Sequence, residues 1–277
     1  MDHKFGGEWT EIKLERLQKY LNFYTTALRN IAPRYGWDLM YIDAFAGTGK
    51  CTIQGKSDPI DGSARIALQA TPPFDKYIFI DKDEKHINAL NSLISEHPEK
   101  YIHVYNDDAN LRIVDICKST NWKSARAIMF LDPYGMEVKW STLEEISKTQ
   151  AVDMWYLFPL SGLYRQATRK YVALDKGKEK ALDNLLGTSE WRSAFYEPPA
   201  QQDLFDMEPS AERCMQWEDM VRYVREERLK SVFPEVSQPL ILRVNGIPRF
   251  ALFFAVSNPG QSAIGLSMRV ANHILKS

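Results

Sequence analysis

The sequence contains few cysteines, and their spacing is not that of a metal site. Cys51, Cys117 and Cys214 are the three cysteines among 277 residues, and neither a CxxC nor an HxxxH pair occurs. Disulfide frameworks and structural zinc sites need more such residues at closer spacing. The composition therefore excludes a disulfide framework, indicates no metal, and is typical of a protein of the reducing cytosol.

Long apolar runs and an excess of basic charge are also lacking. No window approaches the roughly 18 apolar residues of a membrane span, and the first 20 residues have no apolar signal-peptide core. We therefore expect a cytoplasmic protein without membrane contact. The formal net charge of -1 argues against a uniformly basic surface, although a local basic patch would fit this total.

Apolar runs of strand length alternate with helical patterns through the first 160 residues. This alternation predicts βαβ units, hence an α/β fold with a parallel sheet that binds ligands at the carboxyl ends of its strands. We predict a single domain (1–277) with a helical extension (1–36) before the sheet. A helical cap (161–238) is inserted after the fifth strand, and an antiparallel hairpin (240–244 and 249–257) completes the sheet. We predict strands at 39–45, 77–81, 101–106, 127–132 and 152–158, and helices near 9–30, 63–70, 83–95, 109–118, 141–149 and 261–275.

The first strand runs into a glycine-rich turn in MYIDAFAGTGKCT (40–52). An ATP-binding P-loop would need glycine at Ala44 and serine or threonine at Cys51, and a dinucleotide loop would need glycine or alanine at Thr52. The pattern Asp43-x-Phe45-x-Gly47-x-Gly49 fits S-adenosylmethionine (SAM) instead. This ligand has no phosphate and needs close backbone approach to its amino-acid end, which glycines with positive φ permit. A plain strand-to-helix turn is the alternative.

Carboxylates follow the next two predicted strands. Asp81 can bind the two hydroxyls of a ribose, with Asp83 as second choice or as the cap of the following helix. Asp108 and Ala109 can contact an adenine edge, or Asp108 can cap its own helix. Gly49 and Asp81 are 32 residues apart, more than the roughly 20 expected of a nucleotide-binding unit. The extra loop either folds over the ligand or is a surface excursion.

The fourth strand ends in FLDPYG, which suits N-methylation. Asp132 can accept from an acceptor NH₂ group, Pro133 fixes the backbone, and Tyr134 offers a ring on which a base can stack. An ordinary Asp-Pro, Tyr-Gly turn is the alternative.

With these residues the chain resembles class I SAM-dependent methyltransferases, and more narrowly the bacterial three-Cys-motif partner (TcmP) family. The resemblance implies a Rossmann-like sheet of seven strands with the last hairpin antiparallel. It also implies that Asp43, Gly47 and Gly49 hold the amino-acid end of SAM, Asp81 the ribose and Asp108 the adenine. It rests on EWTEIKLERLQKYLNFY (8–24), YIDAFAGTG (41–49), DGSARIAL (61–68), NDDAN (106–110), LDPYG (131–135) and ALFFAVSNPG (251–260).

The DPYG turn is similar to the DPFG of tRNA guanine-N2 methyltransferases and departs from the (D/N/S)PP(Y/F) turn of DNA amino-methyltransferases.

In the insertion, Arg165, Arg169 and Lys170 alternate with tyrosines and could track phosphates, or could form a solvated helix face. The sequence therefore predicts a SAM-dependent methyltransferase acting on an exocyclic amine of a nucleic-acid base. The alternatives are a catalytically silent methyltransferase fold that binds a partner protein, and a P-loop ATPase using Lys50.

Overall fold

A computed structural model describes residues 7–53, 57–197 and 211–276. The helices are α1 (Glu8–Arg29), α2 (Ala32–Tyr35), α3 (Ser63–Leu68), α4 (Glu84–Glu96), α5 (Ala109–Ser119), α6 (Trp140–Lys148), α7 (Leu160–Gln166), α8 (Lys176–Leu186), α9 (Trp191–Phe195), α10 (Trp217–Tyr223), α11 (Lys230–Val232) and α12 (Gln261–Lys276). A 3₁₀ turn spans Tyr171–Ala173, and a π-helical segment, Val224–Leu229, joins α10 to α11.

The strands alternate with the first helices, as the apolar runs predict. They are β1 (Asp38–Asp43), β2 (Lys50–Cys51), β3 (Ile60–Asp61), β4 (Lys76–Asp81), β5 (Ile102–Asn106), β6 (Ala125–Leu131), β7 (Val152–Phe158), β8 (Tyr196–Glu197), β9 (Glu212–Arg213), β10 (Glu235–Val236), β11 (Leu240–Val244) and β12 (Ile247–Val256).

The main sheet has the order β10-β12-β7-β6-β1-β4-β5, and β11 also pairs with β12. Strands β5, β4, β1, β6 and β7 are parallel, whereas β12 runs antiparallel to β7. The predicted Rossmann-like class, with its antiparallel final hairpin, is confirmed. The short β10 adds an eighth strand to the predicted seven, and it comes from the segment predicted as the insertion (161–238). The division into extension, sheet and cap stays a prediction.

The hairpin between β11 and β12 turns at Asn245 and Gly246, with φ angles of 51° and 77°. Asparagine and glycine are the residues that tolerate this left-handed conformation. The predicted turn is confirmed.

Helices cover both faces of the sheet, and each face has its own core. Side chains of α1, α3, α4 and α12 pack on one face, around Tyr41, Phe79, Phe130 and Trp155. Those of α5, α6, α7 and α8 pack on the other. Trp155 in one core and Trp191 in the other are both fully buried. Because ligands cannot enter such filled faces, a site must lie at the strand ends.

Candidate functional site

The glycine turn follows β1 at the carboxyl edge of the sheet. Gly47 and Gly49 have φ angles of 60° and 74°, so the predicted left-handed turn is confirmed. Backbone hydrogen bonds to two neighbouring strands anchor the segment before it: Ala44 N–H donates to the Phe130 carbonyl and Ala46 N–H to the Ile80 carbonyl, both at 3.1 Å. The turn is therefore fixed between β4 and β6.

Asp81, the last residue of β4, holds the glycine turn in place. Its carboxylate accepts from the Gly47 N–H (2.9 Å, Oδ2) and from the Asp83 N–H (2.9 Å, Oδ1), and His86 Nδ1 lies 3.1 Å from Oδ1. Each carboxylate oxygen has a second lone pair, so Asp81 can still accept from a bound hydroxyl. Asp83 caps α4 by accepting from the Lys85 N–H, which was the alternative role predicted for it.

A small cavity of about 30 Å³ lies at the ends of β1, β4 and β5. It combines apolar walls with convergent carboxylates, the lining typical of small-molecule sites. Five predicted site residues line it: Phe45, Asp81, Asp108, Ala109 and Tyr134. Asp108 also caps α5, because its carboxylate accepts from the Leu111 N–H at 3.1 Å. The alternative role predicted for it, as a helix cap, is therefore observed.

Asp43 lies behind the turn and is fully buried. Its Oδ2 accepts from the Tyr41 hydroxyl at 3.2 Å, while Oδ1 has no hydrogen-bond partner at normal geometry in the described ranges. Burial raises the pKa of Asp43 to about 7; the Ser63 hydroxyl opposes this shift and the carboxylate of Asp132 adds to it. A buried carboxylate oxygen with unused acceptor capacity is a place where the ammonium group of a ligand could bind.

The raised pKa of Asp43 predicts a pH-dependent stability. A carboxyl group whose folded-state pKa is raised favours folding most below its unfolded pKa, and that contribution is lost as the pH rises through the folded pKa. Relative to an Asp43→Asn variant, the wild-type free energy of unfolding should therefore fall by about 2.5 kcal/mol between pH 5 and pH 8. Urea unfolding at both pH values measures this. Asp38→Asn, at the exposed opposite end of β1, is the control, and equal pH dependence of wild type and Asp43→Asn would contradict the assignment.

The predicted acceptor residues follow β6, and one of them has an unpredicted partner. The ammonium of Lys13, on α1, donates to Asp132 Oδ2. Lys13 is 5% exposed, and the Asp132 side chain is 22% exposed. Pro133 is buried, and Tyr134 is 61% exposed beside His86, with ring centroids 6.4 Å apart. Asp132 is thus the inner member of the turn, and Tyr134 lies at the cavity rim.

Two further residues missed by the sequence reasoning fix the surrounding loops. Asn110 donates to the Glu137 carbonyl (3.0 Å) and accepts from the Lys139 N–H (2.9 Å), which ties the segment after DPYG to α5. Gly62 N–H donates to the Gly49 carbonyl at 2.9 Å, and a Cβ at Gly62 would lie 3.0 Å from the Gly49 carbonyl carbon. The available signal was a glycine directly before the helical pattern at 63–70.

The extra loop after the glycine turn returns on itself. Strand β2 pairs with β3, so residues 50–53 and 57–62 form a ribbon whose base adjoins Gly49. Burial raises the pKa of the Cys51 thiol, which the Lys13 ammonium opposes, so this ribbon lies near the Lys13–Asp132 pair. Lys50 is exposed and does not line the cavity.

The three predicted nucleic-acid residues are separated by the fold. Arg165 lines an open groove formed by α7, α10 and the start of β12. Arg169 and Lys170 lie instead beside β9, where the Arg213 N–H donates to the Arg169 carbonyl at 2.8 Å and Lys170 bridges Glu212. Over the described ranges, no group of three His, Cys, Asp or Glu side chains could hold a metal ion, and no helix is long and apolar enough to cross a membrane.

Neither the known protein-family models nor the curated proteins give a match to this sequence. Solved structures do. The N-terminal domain of EvdMO1, crystallised with S-adenosylhomocysteine (SAH) and D-fucose, is 9% identical over 85% of this chain and 82% of its own, with a TM-score of 0.38. The bifunctional kinase-methyltransferase WbdD is 14% identical over 72% and 38%, at 0.35. The Escherichia coli protein yhhF, described as a methyltransferase, is 14% identical over 51% and 69%, at 0.33. Likenesses this distant identify neither a reaction nor an acceptor.

Proposed function

We propose that this protein transfers a methyl group from SAM to an amine nitrogen, with an exocyclic amine of a nucleic-acid base as the acceptor. One observation carries the proposal: a glycine turn with positive φ is hydrogen-bonded to Asp81 beside a cavity, and Asp132 follows the adjacent strand. Carboxyl ends of parallel strands are where α/β sheets bind ligands.

The residues around the cavity fit SAM. The Asp81 carboxylate would accept from the ribose hydroxyls, and Phe45 and Ala109 would pack against the adenine. The orphaned Oδ1 of Asp43 and the backbone at Gly47 and Gly49 would hold the amino-acid end. When bound, SAM supplies a methyl on a sulfonium centre, which an amine nitrogen takes with loss of its N–H proton.

The acceptor residues would act by placement. Asp132 would accept a hydrogen bond from the acceptor amine, which directs the nitrogen lone pair away from the carboxylate. Tyr134, exposed at the rim, would stack against the base. Well-oriented intramolecular reactions reach effective molarities of about 10⁵ M or more, so orientation of this kind can supply much of the rate.

The test combines SAH calorimetry with transfer of labelled methyl from SAM to total RNA, DNA and protein fractions. We expect wild type to bind SAH and to label a nucleic-acid fraction. Asp132→Asn should retain SAH binding and lose transfer by about 100-fold, within the range found for a group that positions or accepts a proton. No heat from SAH with wild-type protein would overturn the proposal.

A second function is a binding module that acts with a partner protein, as the resemblance to the TcmP family suggests. The ion pair between Lys13 and Asp132 favours this second function, because the Asp132 carboxylate already has a charged hydrogen-bond donor within the protein. If wild type and Asp132→Asn bind SAH equally and label nothing, while both capture the same protein, this second function replaces the first.

A further inference from the structure

An open groove of about 280 Å³ lies on the outer side of β7, at the same edge of the sheet as Asp132. We call it the arginine-aromatic groove. Its walls come from α7, from the first residue of α10 and from the first residues of β12. The lining residues that matter here are Tyr164, Arg165, Trp217, Ile247, Pro248 and Arg249.

The groove carries positive charge without nearby compensation. Among the residues that the structure describes, Arg165 and Arg249 make no ion pair and no side-chain hydrogen bond, and no carboxylate lines the groove. The guanidinium of Arg243 lies 5.3 Å from the Trp217 ring centroid and adds a third positive charge beside it. Unpaired arginines around a concave surface bind anions, and phosphates in particular.

Flat apolar faces lie between these charges. Trp217 and Tyr164 are half-buried, and Ile247 is 53% exposed. The guanidinium of Arg213 stacks at 3.7 Å from the Tyr164 ring centroid, which fixes the ring. Arginines interleaved with aromatic rings match a chain of phosphates and unstacked bases better than an acidic peptide, which has carboxylates but no planar rings to stack.

Packing contacts connect the elements around the groove with the neighbourhood of Asp132. Lys13 pairs with Asp132, its ammonium lies 4.9 Å from the Trp9 ring centroid, and Trp9 stacks on Phe250 at 4.7 Å. Phe250 adjoins Arg249 in β12. On the other side, a Cβ at Gly162 of α7 would lie 3.1 Å from Met136 Cγ, so α7 packs directly on the segment after DPYG.

We infer that the arginine-aromatic groove binds a single-stranded nucleic acid, with phosphates at Arg165 and Arg249 and a base against Trp217. A strand lying there would occupy the same edge of the sheet as Asp132. The inference deepens the proposed function by naming the acceptor as a single strand, but nucleic-acid binding is measured separately from SAH binding.

The experiment measures fluorescence anisotropy of labelled oligo(dT) and oligo(U) of about 12 nucleotides with the full chain, at low and at physiological salt. We expect binding by wild type that weakens with salt. Arg165→Glu/Arg249→Glu should lose about 10-fold or more in affinity, and Trp217→Ala about 10-fold. The matched control is Arg34→Glu/Lys123→Glu, which makes the same change in charge on exposed residues at the opposite edge of the sheet.

Each outcome decides the inference. Loss in the groove variants with binding retained in the control supports it. No binding by wild type at low salt, or equal loss in both double variants, overturns it, as does tighter binding of a polyglutamate peptide than of either oligonucleotide. Urea unfolding of every variant reports folding. SAH calorimetry separates the two proposals, because oligonucleotide binding without SAH binding would leave the groove assigned and the methyltransferase refuted.

Discussion

Replacing Gly47 by valine is expected to weaken SAH binding about 1000-fold, a loss of about 4 kcal/mol. Gly47 has a φ of 60°, which costs a side-chain-bearing residue about 1–2 kcal/mol, and its N–H donates to Asp81 at 2.9 Å. A Cβ at Gly47 would meet no atom within 4 Å, so valine would project into open space at the turn. The variant should therefore fold. The valine side chain would occupy the space beside the turn, and the hydrogen bond from the residue 47 N–H to Asp81 would be weakened.

Gly36→Val is the matched control for this prediction. Gly36 has nearly the same backbone conformation (φ 64°) and equally open surroundings, but it precedes β1 at the opposite edge of the sheet. Both variants should lose similar stability in urea unfolding, and only Gly47→Val should lose SAH binding by calorimetry. Equal SAH affinity of the two variants would mean that the turn does not contact the ligand.

The sheet and its glycine turn could be predicted because they depend on local patterns. The strand predicted at 127–132 is observed as β6 (Ala125–Leu131), and α3 begins at Ser63 as predicted. Strand tips could be predicted to meet because parallel strands end at one edge. The roles of Asp43, Asp81 and Asp132 toward a ligand stay predictions.

Contacts between distant parts of the chain could not be predicted. Lys13 and Asp132 are 119 residues apart, and a lysine in an amphipathic helix is expected to face water. The available signal was its register: Lys13 lies four residues from both Trp9 and Leu17, on the stripe that packs against the sheet. Trp217 packs against the core and also lines the groove, a position that could not be predicted, since helical periodicity shows an apolar face without showing what covers it.

Lys13 changes what Asp132 can do. The carboxylate of Asp132 raises the pKa of Asp43, and Lys13 supplies the cation that pairs with Asp132. The lysine lets Asp132 stay at the acceptor position.

Lys13→Met is expected to lower the free energy of unfolding by about 3 kcal/mol, because it leaves a poorly solvated carboxylate without its partner. Asp132→Asn should cost a similar amount by leaving the buried ammonium of Lys13 unpaired. The double variant Lys13→Met/Asp132→Asn removes both charges and should be more stable than the sum of the single losses predicts, with a coupling of about 2 kcal/mol. Urea unfolding of the four proteins at pH 7 measures this cycle.

The same four proteins distinguish a structural ion pair from one that also serves the acceptor. Because Lys13 contacts Asp132 and does not line the cavity, Lys13→Met should bind SAH as tightly as wild type. If Lys13 helps to place the acceptor, the double variant recovers stability without recovering methyl transfer. Additive losses in the cycle would show that the two charges are solvated separately, and the ion pair would then contribute neither to stability nor to placement of the acceptor.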